Sequence, residues 1–201
     1  MILPVTSVTA DKASHEITVV CGGEYRITEA DFLSLGIAET GEADTDRLSF
    51  CDSKLRCIKK SESYLSYGDH SEKKMREKLK GKFEEDVIDE VMKLLVKRGY
   101  IDDASLAERY ASELARTRLW GRKRIAQYLF TKGFCRSDIE NACGSVDDET
   151  YHENLLALIE KSVSKYDLSD RTSVSKFMNT LYRNGYGWDE IKSALSDYVE
   201  E

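Results

Sequence analysis

The feature that most constrains the fold is an internal repeat in the second half of the chain. Six positions recur 52 residues later with matching chemistry: Ile125, Leu129, Gly133, Phe134, Ile139 and Ala142 become Phe177, Leu181, Gly185, Tyr186, Ile191 and Ala194. Each copy has the pattern of a long helix, a short helix, a glycine–aromatic turn and a third helix, because glycine suits the left-handed residue that ends a helix. A capping residue follows each turn, Ser137 and then Asp189, and Ser137 with Glu140 fits a capping box.

A more degenerate copy precedes these two. Gly81 lies 52 residues before Gly133, and Met75 lies 50 residues before Ile125. Pro4 is the only proline, where average usage would give about ten, so every later residue keeps the N–H that a helix interior requires. We therefore predict a mainly α protein with three tandem three-helix repeats in an elongated array.

The first third of the chain differs, because β-branched residues alternate there with turn signals. It predicts a small antiparallel β-meander over Val5–Ala10, Ile17–Cys21 and Glu24–Ile27, with a tight turn at Gly22-Gly23, a short helix over Thr28–Leu35 that Gly36 stops, and an acidic loop over residues 38–46. The predicted segments are a meander extension over 1–46 and three repeats over 47–100, 101–146 and 147–201.

The window over residues 84–98 has the clearest helical period. Its apolar stripe consists of Val87, Ile88, Val91, Leu94 and Leu95. Met92 and Val96 are placed at the margins of this stripe, and Gly99 follows as a natural end of the helix. Asp102 or Asp103 is expected to cap the next helix.

No constellation of residues supports catalysis. The sequence lacks a P-loop, a GxGxxG, an HExxH and a GxSxG motif, and the Asp102-Asp103 pair is better explained as a helix start than as an acid–base pair. Five cysteines without a CxxC spacing indicate reduced, mostly buried thiols. We therefore expect a non-enzymatic, cytoplasmic monomer without cofactor, metal site, secretory signal or membrane span.

The formal charge of −7 conceals an uneven distribution. Residues 1–58 hold 5 basic and 10 acidic residues, residues 59–135 hold 18 and 13, and residues 136–201 hold 7 and 14. The net charges are −5, +5 and −7, so a basic band lies between two acidic ends. Such a band can face a phosphate backbone or an acidic protein groove.

Two clusters within the basic band are candidate binding sites. The main cluster contains Arg116, Arg118, Arg122, Lys123 and Arg124, and the supporting cluster contains Lys73, Lys74 and Arg76. Arginine predominates in the main cluster, and its planar donors suit phosphates and carboxylates. Trp120 lies within the main cluster and is either part of the core or a contact for a base or a partner pocket.

A helix-turn-helix reader of the major groove is disfavoured, because the third helices open with acidic residues such as Glu84-Glu85-Asp86 and Asp189-Glu190. The sequence instead resembles the RecX regulatory-protein family. The resemblance rests on Tyr64-Leu65-Ser66, Ser71-Glu72, Gly99-Tyr100-Ile101-Asp102-Asp103 with Ala107, Gly121 with Arg124-Ile125 and Leu129, Gly133-Phe134, and Gly185-Tyr186 with Ile191. It covers residues 60–195, and the meander resembles an extension found in some longer members.

The resemblance implies a regulator that binds the RecA recombinase and its DNA filament. Such a protein would lodge in the filament groove, block filament extension, and lower ATPase, strand-exchange and coprotease activity in DNA repair and the SOS response. The basic band would face RecA or its single- or double-stranded DNA. Two alternatives stay open: a stand-alone nucleic-acid-binding helical module that acts without RecA, and a helical adaptor for an unrelated protein.

Overall fold

The protein is mostly helical with small antiparallel sheets near its amino terminus, as the sequence predicts. A computed structural model describes residues 1–38 and 41–200, with side chains as far as Ser196. The strands are β1 (Ile2–Pro4), β2 (Ser7–Asp11), β3 (Glu16–Val20), β4 (Glu24–Thr28) and β5 (Glu42–Asp44). Strands β2, β3 and β4 form the predicted meander, in which Val19 pairs with Val8 on one side and Tyr25 on the other.

The acidic loop expected over residues 38–46 is wrong in part, and residues 39 and 40 lie outside the described residues. Strand β5 pairs antiparallel with β1, which sequence analysis missed. The acidic residues obscured this strand, because Glu42 is exposed while Ala43, between Glu42 and Asp44, is buried against the meander core. Two further main-chain hydrogen bonds extend the pair: Val5 N–H donates to the Gly41 carbonyl at 2.8 Å, and Thr45 N–H to the Met1 carbonyl at 2.8 Å.

The described chain divides into two compact units. The amino-terminal unit comprises Met1–His70 with Lys74–Ile101, and the carboxy-terminal unit comprises Ser71–Lys73 with the chain from Asp102 onward. The helices of the amino-terminal unit are α1 (Glu29–Leu35), α2 (Thr45–Leu65), the greater part of α3 (Glu72–Leu79), and α4 (Glu85–Lys97). The short helix predicted before Gly36 is confirmed as α1, and Gly36 ends it with φ +62°.

Helix α2 contributes to two separate apolar clusters. Its first half places Leu48 and Cys51 in the core of the meander, and its second half places Cys57 and Ile58 in the core of the first three-helix unit. The division of the chain at residue 46 therefore stays a prediction, since α2 belongs to both cores.

The stripe predicted over residues 84–98 lies on α4. Val87, Ile88, Val91 and Leu95 are buried in the core of the first three-helix unit, and Leu94 packs at its edge. The marginal position expected for Met92 is wrong, because its side chain is fully buried in the same cluster.

The carboxy-terminal unit contains the two copies of the 52-residue repeat. Its helices are α5 (Asp103–Arg118), α6 (Arg122–Lys132), α7 (Arg136–Ser145), α8 (Asp148–Val163), α9 (Arg171–Arg183) and α10 (Trp188–Glu200). All five apolar pairs of the repeat are buried: Ile125/Phe177, Leu129/Leu181, Phe134/Tyr186, Ile139/Ile191 and Ala142/Ala194. Each copy has its own apolar cluster, so the repeat is structural as well as sequential.

The capping residues of the third helices differ from the expectation. Helix α7 begins at Arg136, and its cap is Cys135 rather than Ser137: the Cys135 thiol accepts a hydrogen bond from Asp138 N–H at 3.5 Å. Gly187 occupies the equivalent position in the next repeat, two residues before Asp189. Its N–H donates to the Glu190 carboxylate at 2.6 Å. Asp102 is confirmed as the cap of α5.

Candidate partner-binding surface

The turn before α6 and the turn before α10 are joined by main-chain hydrogen bonds inside the carboxy-terminal unit. Gly121 N–H donates to the Asn184 carbonyl at 2.8 Å, and Lys123 N–H donates to the Gly185 carbonyl at 3.2 Å. The hydroxyl of the buried Tyr186 donates to the Leu119 carbonyl at 3.0 Å. We call this contact the inter-repeat joint, and it fixes the first turn of α6 against the third repeat.

Glycine is required on both sides of the inter-repeat joint. A Cβ on Gly121 would lie 2.6 Å from the Gly185 carbonyl oxygen, and a Cβ on Gly185 would lie 2.5 Å from the Arg124 nitrogen. Both distances are well inside van der Waals contact, and Gly185 also has φ +99°, which side chains disfavour. The two turns approach this closely only because neither residue has a side chain.

Two of the five predicted basic residues of the main cluster are engaged within the unit. The Arg124 guanidinium donates to the Asn184 side-chain oxygen at 2.6 Å and lies 4.1 Å from the Trp120 ring centroid. Arg122 forms an ion pair with Asp148 at 2.6 Å and lies over the Tyr151 ring at 4.8 Å. These arginines therefore hold the repeats together, as well as carrying charge.

The other three cations of the main cluster are exposed. Arg116 and Arg118 lie in the last turn of α5, and Lys123 lies in the first turn of α6 with its ammonium 5.6 Å from the Tyr182 ring centroid. Among the residues that the structure describes, no carboxylate lies within 4.0 Å of their charged groups. Their charge is therefore available to a partner.

The structure places Trp120 partly in the core, and its role as a contact stays a prediction. It is half-buried against the core of the second repeat, with its ring edge-on to Tyr128 at a centroid distance of 5.8 Å. The Arg124 guanidinium covers part of the ring. Trp120 therefore lies at the edge of the core, and the outer surface of its side chain is partly accessible.

Sequence analysis missed two exposed aromatic residues beside this cluster. Tyr182 and Trp188 stack with a centroid distance of 4.9 Å and an interplanar angle of 17°, and their exposed fractions are 42% and 40%. Both lie off the apolar stripe of their helices, and this position was the sequence feature that could have indicated their exposure. Lys123 lies against the Tyr182 ring. We use the name joint surface for the group of Arg116, Arg118, Trp120, Lys123, Tyr182 and Trp188.

The supporting cluster is divided between the two units. Lys73 belongs to the carboxy-terminal unit and is exposed, whereas Lys74 and Arg76 belong to the amino-terminal unit. Lys74 pairs with Glu77 at 2.7 Å, and Arg76 pairs with Asp89. These carboxylates offset part of the charge that the sequence assigned to a partner.

The carboxylates of Asp102 and Asp103 have separate structural roles. Asp102 accepts a hydrogen bond from Ser105 N–H at 3.0 Å, which lowers the pKa of Asp102. Asp103 accepts from Glu72 N–H at 2.8 Å, and burial raises the pKa of Asp103. The helix-start interpretation of this pair is confirmed.

A cleft of about 250 Å³ adjoins the joint and includes Arg122, Asp148, His152 and Glu190 in its lining. Charges of both signs meet there. Burial raises the pKa of Tyr151, also in the lining, to about 12. The cleft therefore presents one arginine beside two carboxylates.

The described residues hold neither a helix suited to a bilayer nor a group of metal ligands. Within residues 1–38 and 41–200, no helix combines the length and apolar character needed to cross a bilayer. Over the same residues, no three His, Cys, Asp or Glu side chains are grouped as a metal ion would require. Four cysteines are buried and Cys135 is exposed, which confirms mostly buried thiols.

Comparison with known proteins gives a consistent result. Models of the first and second three-helix domains of RecX match residues 57–95 and 102–142. "Regulatory protein RecX" of Clostridioides difficile is 31% identical over 143 residues, which is 71% of this chain and 68% of that protein. The protein of the same name from Listeria monocytogenes is 28% identical over 80% of this chain, and the match spans 60% of the Listeria protein.

Solved structures agree in fold. A crystal structure of regulatory protein RecX superposes with a TM-score of 0.80 at 22% identity, covering 95% of this chain and 99% of that one. RecX from Lactobacillus salivarius gives a TM-score of 0.66 at 26% identity, covering 73% of this chain and 96% of that one. With its repeated three-helix units and these relatives, the chain belongs to the RecX family of regulatory proteins.

Proposed function

We propose that this chain binds a RecA recombinase filament in the cytoplasm and restrains it. Restraint means that it lowers filament extension, ATP hydrolysis, strand exchange and coprotease activity, and thereby acts in DNA repair and the SOS response. Membership of the RecX family supports the regulatory role. The protein would act as a monomer through surface contacts and without a cofactor.

The observation that carries the proposal is the joint surface. Arg116, Arg118 and Lys123 lack carboxylate partners among the described residues, and Lys123 lies beside the partly exposed, stacked Tyr182 and Trp188. Cations beside exposed aromatic rings suit a partner that offers acidic groups or phosphates together with flat apolar groups. A protein–DNA filament offers both.

We propose different tasks for the predicted binding residues. We assign direct contact with the filament to Arg116, Arg118 and Lys123, since these carry uncompensated charge. Arg122 and Arg124 position this group, because their side chains hold Asp148 and Asn184 of the third repeat. Lys73, Lys74 and Arg76 keep the supporting role.

The test is a charge reversal that leaves the inter-repeat joint intact. The variant Arg116→Glu/Arg118→Glu/Lys123→Glu should weaken inhibition of RecA's DNA-dependent ATPase at least tenfold, which corresponds to about 1.4 kcal/mol of binding free energy. Inhibition is measured as the protein concentration that halves the ATPase rate. Arg122 and Arg124 are left unchanged because their reversal would break the contacts to Asp148 and Asn184.

The matched control is Lys161→Glu/Lys165→Glu/Lys176→Glu, which makes the same change in charge at exposed positions of the same unit. We expect its half-inhibition concentration to stay within twofold of the unaltered protein. Circular dichroism checks that both variants are folded. Equal inhibition by the two variants would show that the joint surface does not contact the filament.

A further inference from the structure

Three lysine side chains converge on one tyrosine in the amino-terminal unit. Tyr64 lies near the end of α2, Lys60 lies one turn earlier, Lys78 lies in α3, and Lys82 lies in the turn that follows α3. Their ammonium nitrogens are 5.1, 4.8 and 5.1 Å from the Tyr64 ring centroid. No two of these nitrogens can therefore be more than about 10 Å apart, which is close to the Debye length at 0.1 M salt.

The charges of this lysine cluster are not compensated by the protein. All three lysines are exposed, and within the described part of the chain no carboxylate lies within 4.0 Å of their ammonium groups. The same unit does pair other cations, since Lys74 contacts Glu77 and Arg76 contacts Asp89. Three like charges at this spacing repel one another and raise the free energy of the folded state.

The surroundings of the cluster hold the ammonium groups in place despite this repulsion. Lys82 donates to the Tyr64 hydroxyl at 2.5 Å and to the Lys78 carbonyl at 2.9 Å. The face of the Tyr64 ring attracts each ammonium group. The hydrogen bond from Lys82 also lowers the pKa of Tyr64, as expected where positive charge is concentrated.

We propose that Lys60, Lys78 and Lys82 around Tyr64 form a binding site for phosphate groups of a nucleic-acid strand. An anion relieves the repulsion among the lysines, and lysine binds phosphate as a point charge from any direction, whereas planar arginine donors favour carboxylates as well. The site goes beyond the proposed function, because none of its residues belongs to the joint surface and it requires no recombinase.

The test measures binding of the full chain to a labelled 30-nucleotide single strand by fluorescence anisotropy, without RecA. The variant Lys60→Gln/Lys78→Gln/Lys82→Gln should bind at least fivefold more weakly at 50 mM NaCl. Its slope of log binding constant against log salt should be smaller by about 2, since each single-strand phosphate contact contributes about 0.7. The single variant Lys78→Gln should reduce the slope by about 0.7.

The matched control is Lys12→Gln/Lys93→Gln/Lys97→Gln, which removes three exposed lysines from the same unit. It should retain a larger salt slope and tighter binding than the cluster variant. Equal losses in the two triple variants, or unchanged binding in the cluster variant, would overturn the proposal. So would competition by poly-glutamate as effective as competition by unlabelled DNA, because the ligand would then be an acidic polypeptide.

Thermal unfolding separates a binding role from a structural one. Removing mutually repelling charges should leave the melting temperature of the cluster variant unchanged or higher. A lower melting temperature in both the triple and the single variant would mean that the lysines stabilise the fold and would overturn the proposal. Because no recombinase is present, failure of this site is distinguishable from failure of the joint surface.

Discussion

Gly121 and Gly185 show how a single residue can be constrained by another that is distant in the sequence. Gly121 has φ −75°, which every residue adopts readily, so its own backbone gives no reason for glycine. The reason is the Gly185 carbonyl of the next repeat, which occupies the place where a side chain would be. A glycine without a positive φ therefore marks a close approach between two segments of main chain.

This constraint predicts the effect of adding one methyl group. Gly121→Ala should lower the free energy of unfolding by about 2 kcal/mol, because the new Cβ would overlap backbone atoms that cannot rotate away. Gly144→Ala is the matched control, since Gly144 lies in a helix of the same unit with open space around it. It should raise stability by up to about 1 kcal/mol. Urea unfolding measures both, and similar effects of the two substitutions would contradict this account.

At the same scale, sequence analysis located the basic residues but could not divide them by role. Arg122 and Arg124 are neighbours of Lys123 in an unbroken basic run. Their partners, Asp148 and Asn184, lie 26 and 60 residues further along the chain. No local pattern contains this information, because it depends on how two repeats pack.

Helix α2 joins two apolar cores, which cannot be recognised from its residues one at a time. Leu48, Cys51, Leu55 and Ile58 are spaced to share one helix face, yet that spacing does not say which core each position enters. The structure places Leu48 in the meander core and Ile58 in the core of the first three-helix unit. One rigid helix therefore couples a sheet to a helical unit. Strands β1 and β5 escaped recognition for a related reason, since strands this short depend on pairing across 40 residues.

The coupling through α2 can be measured by hydrogen exchange. Leu48→Ala removes a fully buried side chain and should cost about 2–5 kcal/mol. Exchange should accelerate in β4 and in α4 by similar factors, because both pack on α2. Leu33→Ala is the control, since Leu33 is 71% exposed in the same unit and should change stability by less than about 0.5 kcal/mol. Unchanged protection of α4 in the Leu48 variant would mean that the two cores unfold independently.

At the scale of the whole molecule, the distribution of charge matters more than its sum. The net charge of −7 is unfavourable for a polyanionic partner, but residues 59–135 carry +5. The acidic segments on either side should oppose prolonged binding to bare DNA. Binding to a filament that also offers protein contacts would not depend on charge alone.

This distribution predicts different salt responses for two partners. Binding to a bare single strand should weaken at least tenfold between 50 and 150 mM NaCl, because phosphate contacts release counterions. Inhibition of RecA's ATPase should change less than threefold over the same range. Fluorescence anisotropy and an ATPase assay provide the two measurements. Tight binding to bare DNA at 150 mM NaCl would instead favour the stand-alone nucleic-acid module.

Features that depend on local sequence patterns could be predicted, and features that depend on contacts between distant segments could not. The repeat, the glycine turns and the meander are written in local patterns of about 50 residues, and they could be inferred from the sequence. The joint surface was predicted only in part, because Tyr182, which stacks on Trp188, meets Lys123 from a different repeat. The Tyr64 cluster was invisible for the same reason, since Lys60 and Lys78 approach one ring from separate helices.

The inter-repeat joint is made mainly by main-chain groups rather than by the exposed side chains beside it. Its key hydrogen bonds run between main-chain N–H and carbonyl groups, which every amino acid except proline supplies in full. Apart from two glycines, these bonds make little demand on side chains. Exposed residues such as Arg116 and Lys123 can therefore be substituted while the repeats keep their mutual alignment.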